Sequence, residues 1–478
     1  MDFKDIRQTY FLGIGGIGMS AIARYFHSLG ITVTGYDKTE TVLTKALAAE
    51  GISIHYEDRG ENIASIGLKP EDCLVVLTPA IPKDHKEWEW LRINGFTIMK
   101  RSQVLGVITD AYKTLGVAGT HGKTTTSTLI AHILKSSKVD CAAFLGGISS
   151  NYNTNLLLHR HTAHKEQTSG HEDFRPWTDE QFMVVESDEF DRSFLTLHPS
   201  VSVVTSTDAD HLDIYGEHKE LQKSFIDYAM QTREGGTLIL KKGLDITSSV
   251  TRPFLTYSNK EEADIRSYNI RIEGDEYIFD LSYEGITMKD LKLGIPGMHN
   301  VENATAASAA CLTAGVTEEE LRAALASFKG VKRRFEYIVK RPGFVYIDDY
   351  AHHPEELRAI ISSVQEMYPG KKILGVFQPH LYSRTRDFAD GFAESLSLLN
   401  NVLLLDIYPA RELPIEGVSS GMILEKMTSA QKQVCSKSDV VSLVNSYKPD
   451  VLLTLGAGDI DQLVAPLREA YNSNFTEG

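Results

Sequence analysis

Short apolar runs that close on glycine, acid or histidine alternate along this chain with stretches of helical period. That alternation predicts an α/β protein with mostly parallel sheets, because each buried strand must be followed by an element that covers it. The first run, ending at Leu12, enters Gly13-x-Gly15-x-x-Gly18 and then an apolar helix face through Met19, Ile22, Ala23 and Phe26. A second strand, Ile31 to Tyr36, ends on Asp37, and further strands are predicted over 73–82 and 96–100, with Gly30 stopping the first helix. These elements make a Rossmann-like N-terminal domain, 1–108. The run from Tyr112 to Ala118 opens a central domain, 109–328, with a P-loop ATPase-like order of elements and a mostly parallel sheet. A helix follows over Ser127–Leu134, then strands within 142–147, 181–199 and 202–216. Next come a helix with Leu221, Phe225 and Tyr228 on one face, the strand GGTLILK, alternating hairpin strands over 264–293, and a small-residue-rich helix in 296–315. Residues 159–180 lack apolar periodicity and are predicted to form a long exposed excursion. The last third, 329–478, repeats the alternation as a C-terminal Rossmann-like domain, entered through a basic hinge at 328–338. Pro354 with Glu355 and Glu356 behind it marks a helix start there.

Composition narrows the class. At 478 residues, 42% hydrophobic and 24% charged, the chain is of globular type and fits about three domains at ~150 residues each. A net charge of −15 excludes a general nucleic-acid surface while leaving local positive pockets for anionic small molecules. The apolar stretch at 10–23 is broken by glycines and follows no basic segment, so neither export nor membrane insertion is predicted. Cys73, Cys141, Cys311 and Cys435 are too widely spaced for a metal or disulfide framework, which agrees with a cytoplasmic setting. Nothing in the pattern assigns an oligomeric state.

The strongest chemical signal is GVAGTHGKTTT at 116–126. Its order is strand, tight loop and helix start, in which backbone N–H groups cradle phosphate, Lys123 reaches the outer oxygens and a threonine hydroxyl meets Mg²⁺. A strict Walker pattern has glycine six residues before the lysine; Val117 stands there, bracketed by Gly116 and Gly119. In the N-terminal domain Asp37 follows Gly18 at the distance of a ribose-binding acid, yet no hydride chemistry accompanies it, so the ligand is read as an anionic nucleotide. Glu186 and His211 close two apolar runs, where an open sheet places ligand-contacting groups, and are candidate cation ligands. His299, Asn300 and Asn303 cluster at a helix start; capping accounts for one asparagine and leaves base or ribose recognition for the others. Arg333 and Arg334 ride the hinge, where an arginine can neutralise phosphoryl charge. C-terminal strands end in Asp349/Tyr350/His352/His353, Gln378/His380 and Asp406/Tyr408/Arg411, which suggests a site wall. The histidines at 159, 161, 164 and 171 are read as parts of a solvated loop, because no carboxylate or cysteine geometry supports a metal cluster.

Ten stretches, in order across all three domains, resemble the Mur ligase family. They include GIGGIGMSAIA (13–23), GTHGKTTT (119–126), VVESDEFDRSFL (184–195), DADHLDIYG (208–216), HNVENATAA (299–307), KRRFEYI (332–338), DDYAHHPEE (348–356) and FQPHLYSRTRDF (377–388). The family's loop is G-T-x-G-K-T/S, which accounts for Val117. The resemblance implies ATP-dependent amide formation between the lactyl carboxylate of UDP-N-acetylmuramate and L-alanine through an acyl phosphate, for peptidoglycan precursors, with Mg²⁺ and Mn²⁺ as the alternative. On the matching positions, Gly15, Gly16, Ile17, Gly18, Met19, Ser20, Asp37 and Thr78 would hold the UDP-sugar. Gly119, Thr120, His121, Gly122, Lys123, Thr124 and Thr125 would bind ATP, joined by His299, Asn300, Asn303, Arg333 and Asp349. Thr124, Glu186 and His211 would organise the metal, and Lys123, Glu186, His211 and Arg333 would form the catalytic set. Tyr350, His352, His353, His380, Arg384 and Arg386 would line the amino-acid pocket. Leu381 departs from the family pattern, which has arginine there. Whether the acceptor is L-alanine, glycine, L-serine or a recycled tripeptide stays open.

Overall fold

The strands Gln8–Leu12 and Cys73–Leu77 in the middle of the first sheet are buried along nearly their whole length, as expected of a parallel sheet covered on both faces. In the computed structural model, which describes residues 3–160, 181–209, 212–274, 276–410 and 412–473, this sheet has five parallel strands. They are β1 (Gln8–Leu12), β2 (Thr32–Tyr36), β3 (Ser53–His55), β4 (Cys73–Leu77) and β5 (Thr97–Lys100), in the order 3-2-1-4-5. The order reverses at β1, so the glycine turn after it opens at the switch point where such sheets bind ligands. β4 stops at Leu77, short of the predicted 82, because Thr78 starts a turn whose carbonyl accepts the Ile81 N–H, and prolines at 79 and 82 have no N–H for a ladder.

The second sheet holds ten strands: β6 (Lys113–Ala118), β7 (Ala142–Phe144), β8 (Leu156–Leu157), β9 (Phe182–Glu186), β10 (Val201–Val204), β11 (Thr237–Lys241), β12 (Leu255–Ser258), β13 (Ile265–Glu273), β14 (Glu276–Tyr283) and β15 (Ile286–Leu293). Their order is 15-14-13-12-11-10-6-9-7-8, with β6, which leads into the phosphate loop, between β10 and β9. The third sheet contains β16 (Glu336–Arg341), β17 (Phe344–Asp349), β18 (Ile373–Phe377), β19 (Asn401–Leu404), β20 (Gln431–Val434) and β21 (Val451–Leu455), ordered 16-17-21-18-19-20, with only the β16–β17 pairing antiparallel. The predicted hinge is therefore partly strand, since β16 begins within it at Glu336. The polar strands β3 and β20 lie at sheet edges, where few apolar contacts are needed, and neither was predicted.

Two compact units emerge: residues Met1–Tyr268, Leu281–Lys289 and Asn303–Ala326, and residues Asn269–Asp280, Asp290–Glu302 and Ser327–Gly478. Within the first, one apolar core runs from Phe11, Ile22 and Phe26 through Leu105 and Tyr112 to Phe144 and Met183, so the first two sheets are packed together. His159 is buried, contrary to the exposed excursion predicted from its polar neighbours: its ring stacks on Tyr112 and its Nδ1 lies 3.5 Å from Asp140. Residues 161–180, with the other three histidines of that stretch, lie outside the described residues.

Beneath the first sheet a fully buried carboxylate is satisfied locally. The Tyr10 hydroxyl donates to Glu87 Oε2 at 2.7 Å, and the Arg59 backbone N–H donates to Oε1 at 2.8 Å. Burial pushes the Glu87 pKa up against these donors. Tyr10→Phe, which removes one donor from the buried carboxylate, is expected to cost about 1–3 kcal/mol and to lower the thermal unfolding midpoint; an unchanged midpoint would show the hydroxyl to be dispensable.

Candidate active site

The loop after β6 is shaped by two glycines in the left-handed region, Gly119 at φ 138° and Gly122 at φ 81°. A Cβ on Gly119 would overlap the Thr205 hydroxyl, and one on Gly122 would lie 2.7 Å from Asn303 Oδ1. The loop is thus closed down onto the segment that follows β10. There the Ser206 hydroxyl accepts the His121 N–H at 2.7 Å and lies 2.9 Å from the Thr120 hydroxyl, while Thr205 donates to the His121 carbonyl. Thr205 and Ser206 were not singled out in the sequence, although TST directly after an apolar strand is the available signal. The helix Lys123–Ser136 starts at the loop, so its unsatisfied N–H groups and positive dipole end face the loop's mouth, and Thr124 and Thr125 are buried at its first turn. Thr126 donates to Asn303 Oδ1 at 3.3 Å, which ties that asparagine to the same helix.

Lys123 Nζ donates to the Gly119 carbonyl at 2.6 Å and lies 2.9 and 2.7 Å from the two oxygens of Glu189. Burial alone would lower the lysine pKa; the carboxylates of Glu189, Asp188 and Glu186 outweigh it and hold the group above its ordinary value. Glu189 is the residue that sequence reasoning missed, since Glu186 was taken as the first acid of VESDEFD. Glu186 lines an open cleft together with Ile17, Gly18, Arg101, Gly146 and Asp188. Gly146 makes room for it, because a Cβ there would overlap the Glu186 carboxylate. His211 lies outside the described residues.

At the other end of the cleft the glycine turn after β1 leads into the helix Ile17–Ser28, with Gly16 as its N-cap. Asp37 Oδ2 accepts the Gly15 N–H at 2.7 Å, and a Cβ on Gly13 would overlap Thr78, so both side chains predicted from afar do border the turn. Met19 and Ser20 are buried: Met19 packs in the core, and the Ser20 hydroxyl donates to the Ile17 carbonyl at 2.9 Å. Arg101 reaches Asp188 at 3.2 Å, and its Nη1 would lie 2.7 Å from a Cβ on Gly18. Arg101 was also missed; it begins a helix after β5, distant in sequence from both loops.

The second unit groups most of the remaining predicted residues. Arg333, in the left-handed region at φ 60°, pairs with Asp348 at 3.1 Å and donates to the Gly456 carbonyl at 2.7 Å. Arg333 and Arg334 both lie over the Tyr350 ring, at 5.2 and 5.1 Å. Asp349 accepts the Phe335 and Ala351 N–H groups at 2.6 and 2.8 Å, and burial pushes its pKa up to about 6 despite the Arg334 charge. Tyr350, His352, His380 and Tyr408 form a run of ring contacts. His353 is buried against Phe388 and caps the helix Pro354–Met367, its Nδ1 accepting the Glu355 N–H at 3.3 Å. Arg384 is buried, whereas Arg386 is exposed beside Asp387, and Leu381 is buried at φ 68° before both. Asn300 donates to the Pro296 carbonyl at 2.6 Å, and His299 Nδ1 lies 3.4 Å from the Ser363 hydroxyl.

Three α/β sheets, the middle one carrying a phosphate loop whose lysine is held by acids, are the build of a nucleotide-dependent ligase. The chain belongs to the Mur ligase family. The family's catalytic-domain model matches residues 8–113, its middle-domain model 117–311 and its glutamate-ligase-domain model 333–458. Similar proteins include the UDP-N-acetylmuramate–L-alanine ligases of Flavobacterium johnsoniae, 46% identical over 99% of this chain and 100% of that one, and of Porphyromonas gingivalis, 49% identical over 97% and 99%. Among solved structures, the UDP-N-acetylmuramate–alanine ligase of Thermotoga maritima is 27% identical with a TM-score of 0.79 over 98% of this chain and 99% of that one. A murein peptide ligase from Psychrobacter arcticus shares the fold, at 22% identity and a TM-score of 0.68 over 97% and 98%.

Burial, reinforced by the Arg334 charge, pushes the His299 pKa from 6.5 down to about 4. The folded chain therefore binds fewer protons than the unfolded chain between those values. The stability from this group is complete above pH 6.5 and is lost as pH falls toward 4. His299→Gln is expected to show a smaller drop in unfolding midpoint between pH 7 and pH 5 than the parent chain; equal drops would contradict the assignment.

Proposed function

We propose that the chain joins the lactyl carboxylate of UDP-N-acetylmuramate to the amine of L-alanine, with ATP converted to ADP and phosphate. The observation that carries this reading is the cleft running from the glycine turn at Gly18 to Glu186 and Asp188, whose charges act on the phosphate-loop lysine. The curated relatives that bear the L-alanine ligase name match over nearly the whole chain at 46–49% identity, which favours L-alanine over a recycled tripeptide as acceptor. The domains are 1–108 for the UDP-sugar, 109–328 for ATP and 329–478 for the amino acid, in a cytoplasmic protein. No helix among the described residues is long and apolar enough to cross a membrane.

A carboxylate is a poor acyl donor, so its oxygen first attacks the ATP γ-phosphorus and ADP leaves. The L-alanine amine then attacks the acyl phosphate carbonyl, the amide bond forms, and phosphate departs with one oxygen of the original carboxylate. Loop N–H groups and the N-terminus of helix Lys123–Ser136 bind the phosphates, with the Lys123 ammonium on their outer oxygens. Asn303, fixed to that helix, contacts the nucleoside together with His299 and Asn300. Gly15 to Ser20, Asp37 and Thr78 seat the sugar nucleotide, and Arg333 and Asp349 serve the nucleotide from the C-terminal domain. The amino-acid pocket draws on Tyr350, His352, His353, His380, Arg384 and Arg386. Thr124 and Glu186 would supply oxygen donors suited to a hard cation, Gly146 leaving room for the Glu186 carboxylate, with His211 as a further ligand. Mg²⁺, or Mn²⁺, would neutralise charge as the phosphoryl group transfers.

Purified protein given ATP, Mg²⁺, UDP-N-acetylmuramate and L-alanine is expected to release phosphate and yield a product heavier by one alanine residue. Turnover that requires the tripeptide in place of L-alanine would overturn the acceptor, and phosphate release independent of the sugar nucleotide would overturn the function. Lys123→Ala is expected to lower kcat/KM ~10²–10⁴-fold, and full retained activity would remove the role given to the loop.

A further inference from the structure

Lys123 is committed to groups of the protein itself. Its ammonium is folded back on the Gly119 carbonyl and faces both oxygens of Glu189, whose side chain is 1% exposed. Glu189 is closed off from water, and its backbone is held by hydrogen bonds. The Tyr215 hydroxyl and the Arg192 N–H both donate to its carbonyl, at 2.6 and 2.9 Å, and the two residues that follow the adjacent Phe190, Asp191 and Arg192, are left-handed at φ 51° and 55°. On the near side of this segment the Asp188 carboxylate is turned to Arg101 at 3.2 Å and accepts the Phe190 N–H at 3.1 Å. The acids of one short stretch thus face different ways: Glu186 into the cleft, Asp188 to Arg101 and Glu189 to the lysine.

Phosphates bound on the loop need the same ammonium. A carboxylate and a phosphate oxygen cannot both hold it at full strength at one point, because their charges repel across a poorly solvated space. We propose that Glu189 is a positioning residue that holds Lys123 in the loop until the phosphates of ATP take the ammonium from it, so that nucleotide binding is an exchange of ion-pair partners. The inference rests on the reading of this loop as the ATP site. The exchange lowers nucleotide affinity by the strength of the displaced pair, in the manner of any competing state. It also keeps the lysine from collapsing onto Glu186, which leaves that carboxylate for the cation.

The test is a set of equilibrium titrations with a non-hydrolysable ATP analogue and with ADP, and with UDP-N-acetylmuramate as a folding control. Glu189→Gln preserves size and an acceptor oxygen but removes the competing charge; both adenine nucleotides are expected to bind about tenfold more tightly, with UDP-N-acetylmuramate affinity unchanged. Glu189→Asp, which keeps the charge, is expected to bind them within about twofold of the parent chain. Unchanged or weaker nucleotide binding by Glu189→Gln, with the control ligand still bound, would overturn the exchange. An equal gain in both variants would overturn it too, by assigning the effect to packing. Lys123→Met separates the two claims: if it leaves nucleotide affinity intact, the loop itself is misread, whereas if it weakens binding while Glu189→Gln brings no gain, the exchange alone fails.

Discussion

An ammonium drawn out of water at a helix N-terminus adds its charge to a dipole end that is already positive, and such a site folds only if anions answer it. Lys123 creates that demand beyond the end of β6, and Glu186, Asp188 and Glu189, at and just after the end of β9, meet it from the neighbouring strand. The parallel β6–β9 pairing, with Val117 opposite Glu186, fixes the register that brings the two ends together. Once the acids stand there, their other contacts follow. Asp188 draws in Arg101, and Arg101 lies against Gly18 at the start of the first helix, so the two glycine loops are joined through one acidic segment. Their shared core gives that link a rigid base.

The second unit solves a different problem with similar means. Two adjacent arginines would repel if both were free. Arg333 is neutralised by Asp348 and donates to the Gly456 carbonyl, Arg334 is neutralised by Glu356, and both guanidinium groups use the face of Tyr350. Left-handed backbone at Arg333 and Phe335 re-aims the chain between these partners, and Asp349 holds the bend by accepting the Phe335 N–H. The hinge read from basic composition is thus a tightly bonded turn leading into β16.

Much of this was legible in the sequence, for physical reasons. Glycines that must adopt positive φ or make room for a neighbour, as at Gly119 and Gly122, leave a pattern that spacing alone exposes. Apolar runs revealed the buried strands, but the polar edge strands β3 and β20 left no such trace. Glu189 was hidden because VESDEFD offers acids in close succession, and left-handed residues inside the following 3₁₀ turn break any regular period that would tell which acid faces the lysine. Arg101 was hidden by its distance along the chain from everything it touches. His159 was misjudged because its polar neighbours said nothing of the Tyr112 ring beneath it. The substrates were not legible from spacing; they entered through resemblance to a family, and whole-chain relatives then supported that membership.

If the two loops bring a carboxylate and a γ-phosphate together, one oxygen passes from the carboxylate to the phosphate. UDP-N-acetylmuramate labelled with ¹⁸O in both lactyl carboxylate oxygens tests it directly when the released phosphate is analysed by mass after turnover with ATP and L-alanine. One ¹⁸O atom is expected in each phosphate and the other in the new amide carbonyl. Unlabelled phosphate accompanying amide formation would contradict it.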